Sequence, residues 1–291
     1  MWKNRGRPRV GMALLLLVGL SQAAIADLEQ VEEKRALEIA VYAHFPPYSE
    51  KRGGQPKGID VAIGRALAEK LGVPPTFRVF PADESMADDF RNQLWKGHYL
   101  GGGVADVMVH VPVDSEYAKR NDQVLILGPY HQETIVVARD PRRLGNTRTL
   151  DGFITEKIGV ELLTLPSEYL LSAFGGRLQE NVVHYRSVAQ AAEALRRGEV
   201  AGVMAPRGEL EAALGSGRAG FAVGPMPMPG VHRTSWDLGL AVKADSRALA
   251  SALETAMSEL RSNGTVERIF QEYGISYSPP DRAVLTANAT K

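Results

Sequence analysis

The chain has 291 residues, with 34 basic and 34 acidic side chains and a formal charge of zero. That balance lacks the clustered Lys and Arg of a nucleic-acid-binding protein. The absence of cysteine rules out disulfides and thiolate-held metal. A chain of this length can bury one large core or two modest ones.

In chain order, the first 26 residues read as a secretory signal peptide (1–26) rather than as part of the fold. Lys3, Arg5, Arg7 and Arg9 form a basic head, Met12 to Leu20 an apolar core, and Ala24-Ile25-Ala26 a small-residue cleavage site. The core is shorter than the roughly 18 apolar residues a membrane span needs. No cysteine stands beside the cleavage site, so lipid attachment there is excluded. Cleavage before Asp27 removes four basic and no acidic residues, leaving a formal charge of −4. These features predict export to a bacterial periplasm, with the membrane reached only through a partner.

Leu37 to Ala43 reads as a buried strand that ends in the loop His44-Phe45-Pro46-Pro47-Tyr48. A polar, Gly-containing hairpin follows, and Gly58-Ile59-Asp60 opens a helix with Ile63, Leu67 and Leu71 at fourfold spacing, closed by Gly72. Phe77 to Phe80 is a second strand, Ala87 to Trp95 a helix, and Ala105 to Val111 a third strand. Such alternation implies a parallel sheet with helices on its faces. Gln132 to Arg139 is a β-branched strand with no helix before it, and the polar stretch 140–151 marks a change of texture.

A second alternation begins there: strand Lys157 to Val160, helix Ser167 to Phe174, strand Val182 to Tyr185, a helix capped by Ser187 with Gln190 in capping-box position, and strand Val200 to Met204. Trp236 to Val242 mirrors the earlier β-branched strand. Ser246 to Arg261 forms a helix with Leu249, Leu253, Met257 and Leu260 on one face, and Thr265 caps a last helix. The predicted fold class is α/β, with two Rossmann-like lobes joined by a two-strand hinge. Lobe 1 comprises 37–135 and 236–277, lobe 2 comprises 136–235, and 278–291 is a loose C-terminal tail.

Ligands of open α/β sheets bind beyond the C-terminal ends of the strands, which selects the candidate residues. Phe45 and Tyr48, beside His44, offer rings for stacking on a planar solute; the alternative is packing under the first strand. Trp95, with His98 and Tyr99, could line a flat wall or belong to the core. His110 stands near the third strand's end, either on a solute or as a satisfied histidine. Asp114 is an N-cap with a possible solute contact, Tyr130 precedes the crossing strand, and Arg207 is the best anion-facing side chain. No metal site is read: the six histidines show no i,i+4 pairing. Met226-Pro227-Met228-Pro229 is a stiff loop sooner than a Cu(I) site. Gly101-Gly102-Gly103 lacks the ending of a phosphate loop.

Several ordered patterns carry a resemblance: FPPYSE at 45–50, GIDVAIGRALAEKLG at 58–72, ADVMVHV at 105–111, LGPY at 127–130, KIGVELLT at 157–164, AAEALRRGEVAGVM at 191–204, and 238–275. Together the chain resembles the type II periplasmic solute-binding proteins of the polar amino-acid-binding kind. The resemblance implies capture of a small solute between the lobes and delivery to an ABC permease. It also implies that the stretch Thr164-Leu165-Pro166-Ser167, between a lobe-2 strand and a helix start, presents backbone N–H groups to an anion.

Two departures stand out. The family's Thr-x-x-Arg element is replaced by the stretch Pro112–Arg120, and its lobe-2 acid by Met204-Ala205-Pro206-Arg207. Loss of both partners argues against an ordinary zwitterionic amino acid and for an anionic, partly planar solute. The expanded loop 97–106 and the stretch 112–120 also resemble a divergent subset accompanying quinoprotein alcohol dehydrogenases. That likeness implies pyrroloquinoline quinone as a possible ligand, with no resident cofactor otherwise, or a protein that docks a dehydrogenase without solute. A third reading is a dehydratase of cyclic carboxylic acids, for which His110 with Asp114 or Glu133 is the one plausible acid–base set.

Overall fold

The computed structural model describes residues 31 and 33–281; the leader read at 1–26 and residues 282–291 lie outside them. In chain order, β1 (Leu37–Tyr42) leads into a small ribbon, β2 (His44–Phe45), β3 (Ser49–Arg52) and β4 (Gln55–Lys57). Then come α1 (Ile59–Lys70), β5 (Pro75–Phe80), α2 (Met86–Phe90), β6 (Val107–Val113), α3 (Ser115–Arg120) and β7 (Val124–Arg139). The second half holds β8 (Ile158–Glu161), α4 (Leu165–Ser172), β9 (Val182–Tyr185), α5 (Val188–Arg196), β10 (Gly202–Pro206), α6 (Arg207–Leu214) and β11 (Ala222–Gly224). It closes with β12 (Ser235–Lys243), α7 (Arg247–Ser262) and α8 (Thr265–Glu272).

The large sheet has the order β5-β1-β6-β12-β7-β10-β8-β9, with β11 also on β7. Its two ends are parallel, β5-β1-β6 and β10-β8-β9, and the antiparallel strands β12 and β7 join them. β7 is the common rail. Through Thr134 it pairs with β12, and from Ile135 it pairs with β10 and β11. Sequence reading found only its second half, because Gly128-Pro129 breaks the period-two pattern upstream.

Alternation along the strands explains why each half is a closed sandwich. In β1, Ile39 and Val41 face the cluster of Ile63, Leu67, Leu253, Met257 and Phe270, while Ala40 faces Phe80, Phe90, Leu94 and Met108. In the second half, Val137, Ile158 and Val160 pack with Phe153 and Leu170, whereas Val136, Ala138 and Val203 pack with Ala191, Leu195 and Leu210. Each fully buried side chain of this kind contributes about 1.5–3 kcal/mol by removal from water. Trp236 packs against one cluster in each half.

Local signals decide the helix ends. Ser187 caps α5 by accepting the Gln190 N–H, while Gln190 Oε1 accepts the N–H of Arg186, one residue before the cap, in a variant of the capping box. Asp114 caps α3 through Tyr117 N at 2.6 Å. The last helix differs from expectation: Thr265 is its first residue, Gly264 stands at the cap, and Asn263 Oδ1 accepts the Thr265 N–H. The tail read as loose from Ser278 is held as far as Asp281. Gln132 N donates to Ser278 O, Ser278 N to His131 Nδ1, and Asp281 N to Asp237.

One buried contact joins the two halves beside the hinge. The Glu133 carboxylate, on β7, accepts the Arg207 N–H at 3.0 Å and the Gly208 N–H at 3.2 Å, closing the start of α6. The Tyr48 hydroxyl, from the loop after β1, donates to the same carboxylate. Only glycine fits at 208, since a Cβ there would lie 2.2 Å from the Tyr48 oxygen. Tyr48→Phe is therefore expected to lower the unfolding free energy by about 1.5–3 kcal/mol, the worth of a bond to a charged group. Urea denaturation checks this, and an unchanged midpoint would remove the contact from the fold's supports.

Candidate functional site

The crevice beyond the strand ends of the second half is built by β8, β10 and the three helices that follow the parallel strands. A cavity of about 160 Å³ lies there. This is well under the roughly 300–1,000 Å³ of a drug-sized site, so it suits one end of a small solute. Its walls are apolar, formed by Ile135, Val188, Met204 and Trp236. Two carboxylates enter it, Glu161 from the end of β8 and Glu209 from the first turn of α6, and no Lys, Arg or His lines it. A wider groove of about 580 Å³, between α4 and the loop 229–231, shares Leu165 with this cavity.

The two acids differ. Glu161 Oε2 accepts the Val188 N–H at 3.2 Å, so it is half committed to the start of α5. Burial raises its carboxyl above the ordinary range, against the pull of that N–H. Glu209 has no hydrogen-bond or ion-pair partner among the described residues. Burial first, then the carboxylates of Glu161 and Glu133, push it up to about 8. A carboxyl in such surroundings holds its proton at neutral pH unless a cation arrives to offset the charge.

Sequence reading missed Glu209 by seeking the acid at the strand end itself, where Pro206 stands. The side chain comes from three residues further on, in the first helical turn. The signal was present: an acid at the third helical position after a strand, behind Pro206-Arg207-Gly208. The inference that this half lacks an acid for an ammonium group is thereby corrected.

Arg207 is also corrected as an anion receptor. Its guanidinium lies 3.3 Å from Glu211, which Arg218 also reaches at 2.8 Å, and Glu211 in turn accepts Ser276 N and Oγ. The backbone of Arg207, not its side chain, serves the site region.

The remaining candidates fall into three groups. Thr164 and Pro166 line the cavity. Ser167 does not line it; it is buried and bonded to His184 at 3.0 Å, and its N–H is taken by Thr164 Oγ1. In the first half, His110, Phe45, Tyr48 and Tyr130 form one cluster. The His110 ring lies 4.7 Å from Phe45 and 4.3 Å from Tyr48, and its Nδ1 is 3.1 Å from Asp60 Oδ2. Asp60, fully buried at the start of α1, also accepts the Tyr130 hydroxyl at 2.9 Å.

Tyr48 and Tyr130 are thus buried polar struts rather than open stacking faces, and burial raises both phenols further. His110 occupies a β-bulge opposite Gly239-Leu240 at φ +65°, a left-handed backbone uncommon for any residue other than glycine. His44 is exposed on the ribbon. Pro112 pairs with Leu238, and Asp114 forms an ion pair with Arg233.

Trp95 is a correction. It packs beside Phe90, Leu94 and Ala105, and Ala105 N bonds Gln93 O at the end where β6 begins. That is the opposite edge of the sheet from the C-terminal strand ends. The acid–base set considered for a dehydratase is not assembled either: His110 meets Asp60, Asp114 meets Arg233, and Glu133 is occupied by backbone N–H groups and Tyr48. Among the described residues no cluster of three or more His, Asp or Glu could hold a metal.

No family model matches the chain. It is 24% identical over 267 residues to the L-cystine-binding protein TcyJ of Escherichia coli (strain K12), covering 90% of this chain and 92% of that one. It is also 24% identical over 260 residues to the putative ABC transporter arginine-binding protein 2 of the same strain, covering 89% and 96%. A solved structure, the Ancestral Cationic Amino Acid Solute Binding Protein, superposes with a TM-score of 0.67 at 18% identity, over 84% of this chain and 98% of that one. The strand order, the antiparallel pair between two parallel ends and these likenesses agree: the chain has the two-ended α/β fold of those amino-acid-binding proteins.

Proposed function

We propose that the protein is a periplasmic receptor that captures a small solute bearing a cationic nitrogen and delivers it to an ABC-type permease. The observation that carries this reading is Glu209, an unpartnered carboxyl in an apolar crevice with a second acid beside it. Burying a charge without a counterion costs several kcal/mol, so a cationic group that enters this cavity gains what Glu209 lacks. The related proteins support the class, since those two are named for L-cystine and arginine, which both carry ammonium groups.

The lobes are taken as 37–135 with 236–277, and 136–235, turning about β7 and β12. A solute that touches both lobes stabilises the closed form by its differential contacts. Micromolar affinity corresponds to about −8 kcal/mol. The anionic solute expected from Arg207 loses its support, because that guanidinium faces Glu211. Pyrroloquinoline quinone, a polyacid, would bring like charge to Glu161 and Glu209. The name of the arginine-binding relative, an ABC transporter protein, favours a permease as partner over a quinoprotein dehydrogenase.

A thermal-shift screen tests this reading. Arginine, lysine and cystine are expected to raise the melting temperature by several degrees and dicarboxylates to leave it unchanged. A shift with the dicarboxylates alone would reject it.

Two pH effects follow from Glu209. Bound cation favours the ionised carboxylate, so affinity rises with pH up to about 8 and then levels, while Glu209→Gln binds weakly with a flat profile. Calorimetric titration across that range checks it. Without solute the sign for stability is the reverse. The folded carboxyl keeps its proton up to about 8, whereas an unfolded glutamate releases it near 4.5, so stability falls as pH rises between those values. Denaturant midpoints are expected to show that fall in the native chain and lose it in Glu209→Gln.

A further inference from the structure

The crevice that offers two acids also has many of the usual receptors for a carboxylate already occupied. Helix N-termini are the ordinary anion sites of such crevices, because their first N–H groups are unbonded. Here the chain's own oxygens take several of those groups. At α4, Pro166 has no N–H and Thr164 Oγ1 takes the N–H of Ser167. At α5, Glu161 takes Val188 N and Ser187 Oγ takes Gln190 N. At α6, Glu133 takes both Arg207 N and Gly208 N.

The side-chain cations near the site are equally committed. Arg207 faces Glu211, Arg233 faces Asp114, and Arg120 lies over the Tyr117 ring at 5.8 Å. The cavity itself holds Glu161 and Glu209 among apolar walls and no base. A zwitterion entering it would satisfy one acid and leave its own carboxylate desolvated against the other.

We infer that the preferred guest is an organic amine or guanidine without a carboxylate, such as an alkyl diamine, and that Glu161 and Glu209 together weaken binding of the matching amino acid. This rests on the cation reading above and narrows it. The size of the cavity fits one cationic head with a few methylenes against Met204 and Trp236.

Matched pairs that differ by one carboxylate test the inference: cadaverine against lysine and agmatine against arginine, titrated calorimetrically into the purified full chain at pH 8. The amine of each pair is expected to bind about tenfold or more tightly than its amino acid. Equal or tighter binding of lysine and arginine would overturn the inference while leaving the cation reading intact. Binding by none of the four would overturn both.

Pro166→Ala and Thr164→Val, which return N–H groups to the start of α4, are expected to narrow the ratio within each pair by at least severalfold. An unchanged ratio in both variants would overturn the account of why the carboxylate weakens binding. The fold of each variant is checked by its unfolding midpoint.

Discussion

The Glu133 carboxylate is the point on which the architecture turns. It sits on the strand shared by both halves, receives the first two N–H groups of α6, and receives the Tyr48 hydroxyl from the loop after β1. A buried carboxylate is tolerable only when its oxygens are fully engaged, and here four donors engage it, the neighbouring Thr134 N–H included. The requirement propagates outward. Residue 208 must be glycine, the chain around Tyr48 must turn back, and the start of α6 is fixed in place. Because α6 is fixed there, Glu209 is aimed into the crevice.

The electrostatics of the site follow from the same economy of oxygens. Glu133, Glu161, Thr164 and Ser187 each close a helix start that would otherwise be open to an anion. What this leaves is an excess of negative charge with one unsatisfied carboxyl, set in a wall of Val, Ile, Met and Trp side chains. On the opposite side of α6, Glu211 gathers Arg207, Arg218 and Ser276 into a separate polar knot. The helix therefore carries its cations away from the crevice and its acid into it.

Much of the fold was legible in the sequence because its signals are local. Strand and helix alternation, the Ser187 box and the fourfold apolar spacing of α1 and α7 all depend on residues within a turn or two of each other. The full length of β7 was not legible, since Gly128 adopts a positive φ and Pro129 follows it, masking a continuous ladder. The candidate site was read less well. Loop aromatics such as Tyr48 looked like open platforms, yet their hydroxyl partners lie 85 residues away in sequence. Glu209 was overlooked, since its role depends on three separate segments supplying charge and apolar wall around it. Trp95 was misplaced for a related reason: the triple-glycine loop beyond it leads to the beginning of β6, not to its end.

The placement of the tryptophans gives the molecule a built-in optical gauge. Of the three in the sequence, Trp2 belongs to the leader read at the N-terminus, Trp95 lies within the first half far from the crevice, and Trp236 forms part of the crevice wall. Emission from Trp236 is expected to change when a solute packs against its indole, with Trp95 as a steady background. Occupancy of the crevice is thus readable as light from the unlabelled chain.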